Sequence, residues 1–167
     1  MHAAIESKNG SNKARVVAGY CWPWRSKKDP KAFDIEIGEE YRRRWNLDQD
    51  GSLWIIAPTS IGEVGCIHTC QGLEVDYIGV IVGPDLIVRN GEVRTVPSAR
   101  DRHDKSIMGL KGWLKKDEQA ASAAADLIIK NTYRTLMTRG MKGCYVYCTD
   151  PETRDYFDRA SRPPSTP

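Results

Sequence analysis

The chain contains no run of eighteen apolar residues, and its opening Met1-His2-Ala3-Ala4-Ile5-Glu6 lacks the apolar centre of a signal peptide. Both absences argue against a membrane-spanning helix and a secretory leader, so a cytoplasmic protein with no membrane partner is expected. A disulfide framework is missing too: the five cysteines are odd in number and scattered, unlike the spacings of secreted scaffolds. Cys66, His68 and Cys70, or Cys144 and Cys148, could suggest a metal. Cys66 and Cys144 fall inside strand-like runs, however, where cysteine acts as a small buried hydrophobe, and no metal site is expected. Also absent is a Gly-x-x-x-x-Gly-Lys-Ser/Thr phosphate loop, because Gly62, Gly65, Gly109 and Gly112 are not followed by that Lys-Ser/Thr pair. The only Asp-Glu dipeptide, Asp117-Glu118, opens a helix after Lys115-Lys116 instead of ending an apolar strand, which disfavours it as a magnesium-binding acid. No internal repeat is visible.

What is present is the composition of an ordinary folded domain, 40% hydrophobic and 28% charged. A length of 167 residues suits one core better than two. The net charge of +3 is too small to identify a nucleic-acid partner, since clustering and not the total makes a binding field. Clusters do occur at Arg42-Arg43-Arg44-Trp45, from Arg25 to Lys31 beside Trp22 and Trp24, and from Arg100 through Lys116. Each taken alone reads equally well as a solvated charged face.

Residues 1–13, rich in Ser, Asn, Lys and Gly, read as a loose tail, as do residues 161–167. Between them, over 14–160, strand-like and helix-like segments alternate, the pattern of an α/β fold with a mostly parallel sheet and helices on both faces. Candidate strands are Arg15–Tyr20, Leu53–Ala57, Gly65–His68, Tyr77–Val82 and Cys144–Cys148. Leu86–Arg89, Asn90-Gly91 and Glu92–Thr95 predict a type I′ hairpin inserted at the periphery of the sheet. Segment 97–116 carries six Lys or Arg against two Asp and is long for a loop, so mobility or a binding task is expected of it. Asp117 predicts the cap of a helix over Glu118–Arg139, with Ala125, Ile128, Ile129, Tyr133 and Leu136 on one stripe and Gly140 as a left-handed stop. Asp150-Pro151 predicts the start of a last helix that turns Tyr156 and Phe157 inward.

Two stretches stand out. Gln71-Gly72-Leu73-Glu74, introduced by Val64–Thr69 and followed by Tyr77–Gly83, places His68, Thr69, Gln71 and Glu74 where a sheet meets solvent. Roughly sixty residues later, Asn131–Gly143 ends a helix and runs into Cys144–Cys148. The wordings HTCQGLEVDYIGVIVG and NTYRTLMTRGMKG resemble motifs V and VI of superfamily 1 helicases. They are most similar to the Schlafen group III DNA/RNA helicase domain, and Arg15–Trp24 resembles that family's opening strand of the second RecA-like domain. The resemblance covers about Arg15 to Phe157. It implies a RecA-like fold and the C-terminal half of an ATP-dependent DNA or RNA helicase or translocase, whose N-terminal RecA-like lobe holds most of the ATP and Mg. Lacking both Walker motifs, this chain alone is expected to be inactive as an ATPase. The alternative is a motor-derived module that binds nucleic acid or protein without ATPase chemistry, holding its partner through segment 97–116.

The resemblance also implies roles. Arg139 would reach across a cleft to the γ-phosphate held by the other lobe, where its planar fork stabilises charge growing in the transition state. Taken without that context, an Arg at a helix C-terminus is a surface cation compensating the dipole. Glu74 matches the motif V carboxylate that accepts from the ribose, against its reading as an ordinary first-turn acid, and Gly72 would let backbone approach the ligand. His68, Thr69 and Gln71 resemble residues that contact the nucleic-acid backbone. Arg25 occupies the place of a phosphate-contacting arginine, although the usual Tyr-Arg pair is absent. Trp24, with Trp22, could stack on bases or fill the core. Independently of the resemblance, only about eight residues separate His68 from Tyr77, near the minimum for a parallel crossover. This shortness predicts a connector crossing the sheet directly, with His68 and Thr69 at one edge and Glu74 beside Arg139 near the other.

Overall fold

The computed structural model describes residues 1–46, 54–55, 57–70 and 74–162. Its strands are β1 (Ala14–Ala18), β2 (Ile35–Ile37), β3 (Tyr41–Arg43), β4 (Val64–Gly65), β5 (Val75–Val82), β6 (Leu86–Arg89), β7 (Glu92–Thr95) and β8 (Gly140–Cys148), and its α-helices are α1 (His2–Ser7), α2 (Leu110–Leu114), α3 (Glu118–Met137) and α4 (Pro151–Ser161). A four-stranded parallel sheet in the order β4-β1-β5-β8 forms the centre. The expected α/β architecture is present, and it is consistent with a RecA-like fold.

β1 is buried along its whole length, and with β5 it takes the two central places. The apolar runs Val16–Ala18 and Ile78–Val82 suit strands covered on both sides. On one face, Ile129, Tyr133 and Leu136 of α3 pack on Val17, Ile78, Val80 and Val82, the helical spacing giving one apolar stripe. On the other, Ile5 of α1 joins Val16, Ala18, Ile81, Ile35 and Trp45. Helices therefore lie on both faces. Gly79 makes the second contact possible, because a Cβ there would come within 2.9 Å of Ile5.

The first thirteen residues, expected to be loose, instead hold α1 with Ile5 fully buried. The anchor is local: Asn9 Oδ1 accepts from the Ala14 amide at 3.0 Å and from the buried Arg15 guanidinium at 3.1 Å. Of the tail expected at 161–167, Ser161 ends α4 and residues 163–167 lie outside the described residues. The strand expected at Leu53–Ala57 is not formed by its described residues, since Trp54 and Ile55 sit in a turn. Trp54 is a core plug there, fully buried, with its indole N–H donating to Glu63 at 2.8 Å. The Gly65–His68 strand shrinks to Val64–Gly65 because Thr69 closes residues 66–69 into a turn.

The hairpin forms with Asn90 and Gly91 at φ 55° and 79°, the signs a type I′ turn demands. It makes a sheet of its own and is not hydrogen-bonded to the central one, being held by Val88 N–H donating to Thr153 Oγ1 at 2.8 Å and by Thr95 Oγ1 on Asp126 at 2.9 Å. Segment 97–116 folds into two 3₁₀ turns and α2, pinned by the buried Arg100 and Asp104. Helix α3 begins on the expected Asp117 cap but stops at Met137. Gly140 is extended, not left-handed. Glycine is needed at that position because a Cβ would meet the Gly143 carbonyl at 2.3 Å, across a bulge where Val75 and Tyr77 pair with Gly140 and Gly143.

Asp150 closes the start of α4 as the sequence predicts. It caps α4 by accepting from the Thr153 amide at 2.9 Å and is gripped by both Arg89 nitrogens at 2.8 and 2.7 Å. These donors, Arg89 first, hold its carboxyl well below the usual carboxylate range. A depressed folded value stabilises the fold above the unfolded pKa of about 3.9, and that contribution is lost as pH falls through the folded value. Asp150→Ala is expected to cost about 1 kcal/mol at neutral pH as a lost cap. The gap to the parent chain should narrow on acidification, as read from urea midpoints.

Candidate functional site

The connector from β4 to β5 crosses β1, since β1 lies between them in the sheet. Residues 71–73 of it, including Gln71 and Gly72, lie outside the described residues. Its two ends open on different groups of side chains.

At the β5 end, the Val75 amide donates to the Arg139 carbonyl at 2.9 Å, and Val75 pairs with Gly140. Glu74 and Arg139, sixty-five positions apart in sequence, therefore enter adjacent strands side by side. Glu74 is exposed and Arg139 half-buried. The Arg139 Nε is enclosed without a hydrogen-bond partner, and among the described residues no carboxylate forms an ion pair with it. Its neighbour Lys142 is engaged, donating to Asp76 at 2.8 Å, which raises the Lys142 pKa. The Arg139 charge also reaches Cys70: burial pushes that thiol up to about 12, with the arginine working in the opposite sense. The guanidinium thus stands near the β5 end of the connector with hydrogen-bonding capacity unused, the state of a cation that can take an anion from outside.

At the β4 end, His68 is exposed and meets Tyr20 edge-on, with ring centroids 6.5 Å apart. Half-buried Trp24 lies 6.4 Å from the same Tyr20. Lys27 Nζ sits 4.0 Å from the Trp24 ring centroid, a cation–π contact. Two residues expected to touch nucleic acid are thus joined by a third, Tyr20, that the sequence reading passed over. The available signal was the aromatic run Tyr20-Cys21-Trp22-Pro23-Trp24 at the end of an apolar strand. Trp22 turns back to the protein, its carbonyl accepting from the Trp45 indole at 3.2 Å. Thr69 does not present its hydroxyl outward: it accepts from the Cys66 amide and donates to the Cys66 carbonyl, both at 2.8 Å.

Arg25 belongs to neither arginine-139 nor glutamate-74 surroundings. It pairs with Glu36 of β2 at 3.3 Å, on the β4 side of the sheet, where Trp45 bridges to Val64. Glu36 is shared with Arg42 at 3.6 Å. The β2–β3 hairpin that holds these groups follows from Gly38, whose φ of 61° only a glycine adopts without strain. Among the described residues no three His, Cys, Asp or Glu side chains gather as a metal site, and no helix is long and apolar enough to cross a membrane.

The model of the Schlafen group 3, DNA/RNA helicase domain matches residues 1–150. The sequence is also 31% identical to Uncharacterized protein YPL245W of Saccharomyces cerevisiae (strain ATCC 204508 / S288c) over 168 residues, which takes in 97% of this chain and 35% of that protein. The chain therefore spans about a third of the length of the curated relative it matches. No solved structure matches it.

Proposed function

Because the chain belongs to the Schlafen group 3 DNA/RNA helicase domain family, we propose that it works as the second RecA-like half of an ATP-dependent helicase or translocase. The observation that carries this reading is the backbone bond from Val75 to Arg139, which sets a carboxylate and an unengaged guanidinium at one end of a parallel sheet. ATP bound to an opposing lobe would present its γ-phosphate to Arg139 and its ribose to Glu74. The arginine fork suits phosphate oxygens because it donates two parallel hydrogen bonds and keeps its charge at any physiological pH. ATP, when bound, supplies the phosphoryl group. The ligands for its magnesium would come from the other lobe.

DNA or RNA would lie at the far end of the connector, on Trp24 and His68 around Tyr20. Aromatic faces accept any base, and Lys27 adds charge for the backbone. The connector then spans the two ligands, so a shift of the chain at His68 is delivered along a few residues to Glu74. The purified chain is expected to hydrolyse ATP no faster than the buffer control while binding single-stranded nucleic acid weakly and with steep salt dependence. Trp24→Ala should lower that binding by about 1–3 kcal/mol. Robust hydrolysis by the chain alone, or binding indifferent to Trp24, would remove this reading.

A further inference from the structure

β8 is an edge strand: among the described residues, β5 is its only hydrogen-bonded neighbour. Natural edges are blunted by charges, prolines or bulges. β8 has such guards at its beginning, where the bulge against Val75 and Tyr77 falls and Lys142 projects into solvent. From Gly143 to Cys148 the sequence is Gly-Cys-Tyr-Val-Tyr-Cys, with no charge and no proline. That stretch is aromatic and β-branched, the composition that pairs best on a pleated surface.

Its side chains are covered only in part, Cys148 alone being fully in the core. Cys144 and Val146 are exposed on the face that α3 covers farther in, while Tyr145 and Tyr147 are half-buried on the other. Beside the strand runs a groove of about 440 Å³ between β8 and α4, lined by Cys144, Val146, Cys148 and Phe157 among others. An open row of backbone donors and acceptors selects an extended strand as its occupant, and apolar side chains on both faces select one that alternates apolar residues in the same way.

The geometry points to a second copy of this chain, its β8 antiparallel to the first, joining two four-stranded sheets into one of eight. A two-fold axis normal to the sheet keeps Cys144 and Val146 of both copies on one face and Tyr145 and Tyr147 on the other, so each apolar set meets itself. The antiparallel sense also brings the Lys142 end of one strand toward the α4 start of its partner. Glu152, beside Arg89, is 45% exposed there and Lys142, bonded to Asp76, is 61% exposed, so each end of the pairing joins groups of both signs instead of stacking like charges. Parallel pairing would stack Lys142 near Lys142, and a two-fold axis of this kind does not generate it.

The test is the mass of the purified chain by sedimentation equilibrium across a concentration series reaching on the order of 100 μM. The expected result is a transition from 18.8 kDa to twice that mass. Val146→Lys and, separately, Cys144→Lys place a charge on the open edge and should each raise the midpoint concentration about tenfold or more. Both side chains point outward, and far-UV circular dichroism checks that each variant stays folded. Amide exchange in residues 143–148 should slow with concentration in the parent chain only. A chain monomeric throughout the series overturns the proposal, as does a dimer unmoved by both substitutions or exchange protection confined to other segments.

Discussion

Replacing Arg139 by alanine, in a protein that joins this chain to its phosphate-loop lobe, is expected to lower ATP turnover on the order of 10³-fold. The effect is large because the guanidinium has no competing carboxylate among the described residues, so its charge is free for the transferring phosphoryl group. Arg139→Lys should recover little, since an ammonium cannot make the two parallel hydrogen bonds of the fork. Lys142→Ala is the matched control. It removes a cation three positions along, but one already paired with Asp76 at the surface, and exposed pairs of this kind contribute little. Steady-state turnover with saturating nucleic acid separates the outcomes: a loss under about tenfold for Arg139→Ala would take this residue out of the reaction.

Asp85→Ala is expected to be strongly destabilising, costing about 3 kcal/mol. Asp85, Arg100 and Asp104 have fully buried side chains at the C-terminal ends of β1 and β5. Arg100 Nε lies 2.7 Å from Asp104 and 3.6 Å from Asp85, and the Tyr133 hydroxyl donates to Asp85 while accepting from the Gly83 amide at 2.9 Å. Burial, reinforced by the Asp85 charge, holds the Tyr133 phenol well above its ordinary pKa. Without Asp85 the buried Tyr133 hydroxyl loses its acceptor and the buried Arg100 keeps Asp104 as its one counter-charge, so an unsatisfied buried donor is added to a weakened buried ion network. Tyr133→Phe, which removes only the hydroxyl, should cost about 1–3 kcal/mol. Urea unfolding of the two variants gives the comparison. Equal, small losses would mean that Arg100 is satisfied by Asp104 alone.

Much of the fold was legible because its signals are local. β1, β5 and the latter part of β8 are runs of Val, Ile and Tyr, and Asp117 and Asp150 announce helices through short-range capping. Asn90-Gly91 states its turn outright. The failures have local causes of another kind. Trp54 and Ile55 look like strand residues but are drawn into the core by a turn, where the indole finds Glu63. The polar opening segment looks solvated, yet one residue, Ile5, fits the space that Gly79 leaves on the sheet.

The candidate site was only half legible. Arg139, Glu74, His68 and Trp24 stand out by their wording, but nothing local shows that the Thr69 hydroxyl closes a turn on Cys66 or that Arg25 pairs with Glu36. Hydroxyl direction and ion-pair choice depend on neighbours that no local pattern encodes. Tyr20 was missed for the same reason, since its place between Trp24 and His68 comes from strands forty-eight positions apart.

By itself the sequence determined the central strands β1, β5 and β8, the hairpin and the helices α3 and α4, that a phosphate loop is lacking, and which family the two motifs mark, because periodicity, caps and motif wording act over a few neighbouring residues. Strand order was decided only in three dimensions: β1, first along the chain, inserts between β4 and β5 because all five of its residues are buried there, Arg15 included, its guanidinium held by Asn9, Asn12 and the Ala57 carbonyl. That insertion sends the connector across the sheet and sets Glu74 beside Arg139, an adjacency that exists only once the non-local hydrogen bonds between β5 and β8 have formed.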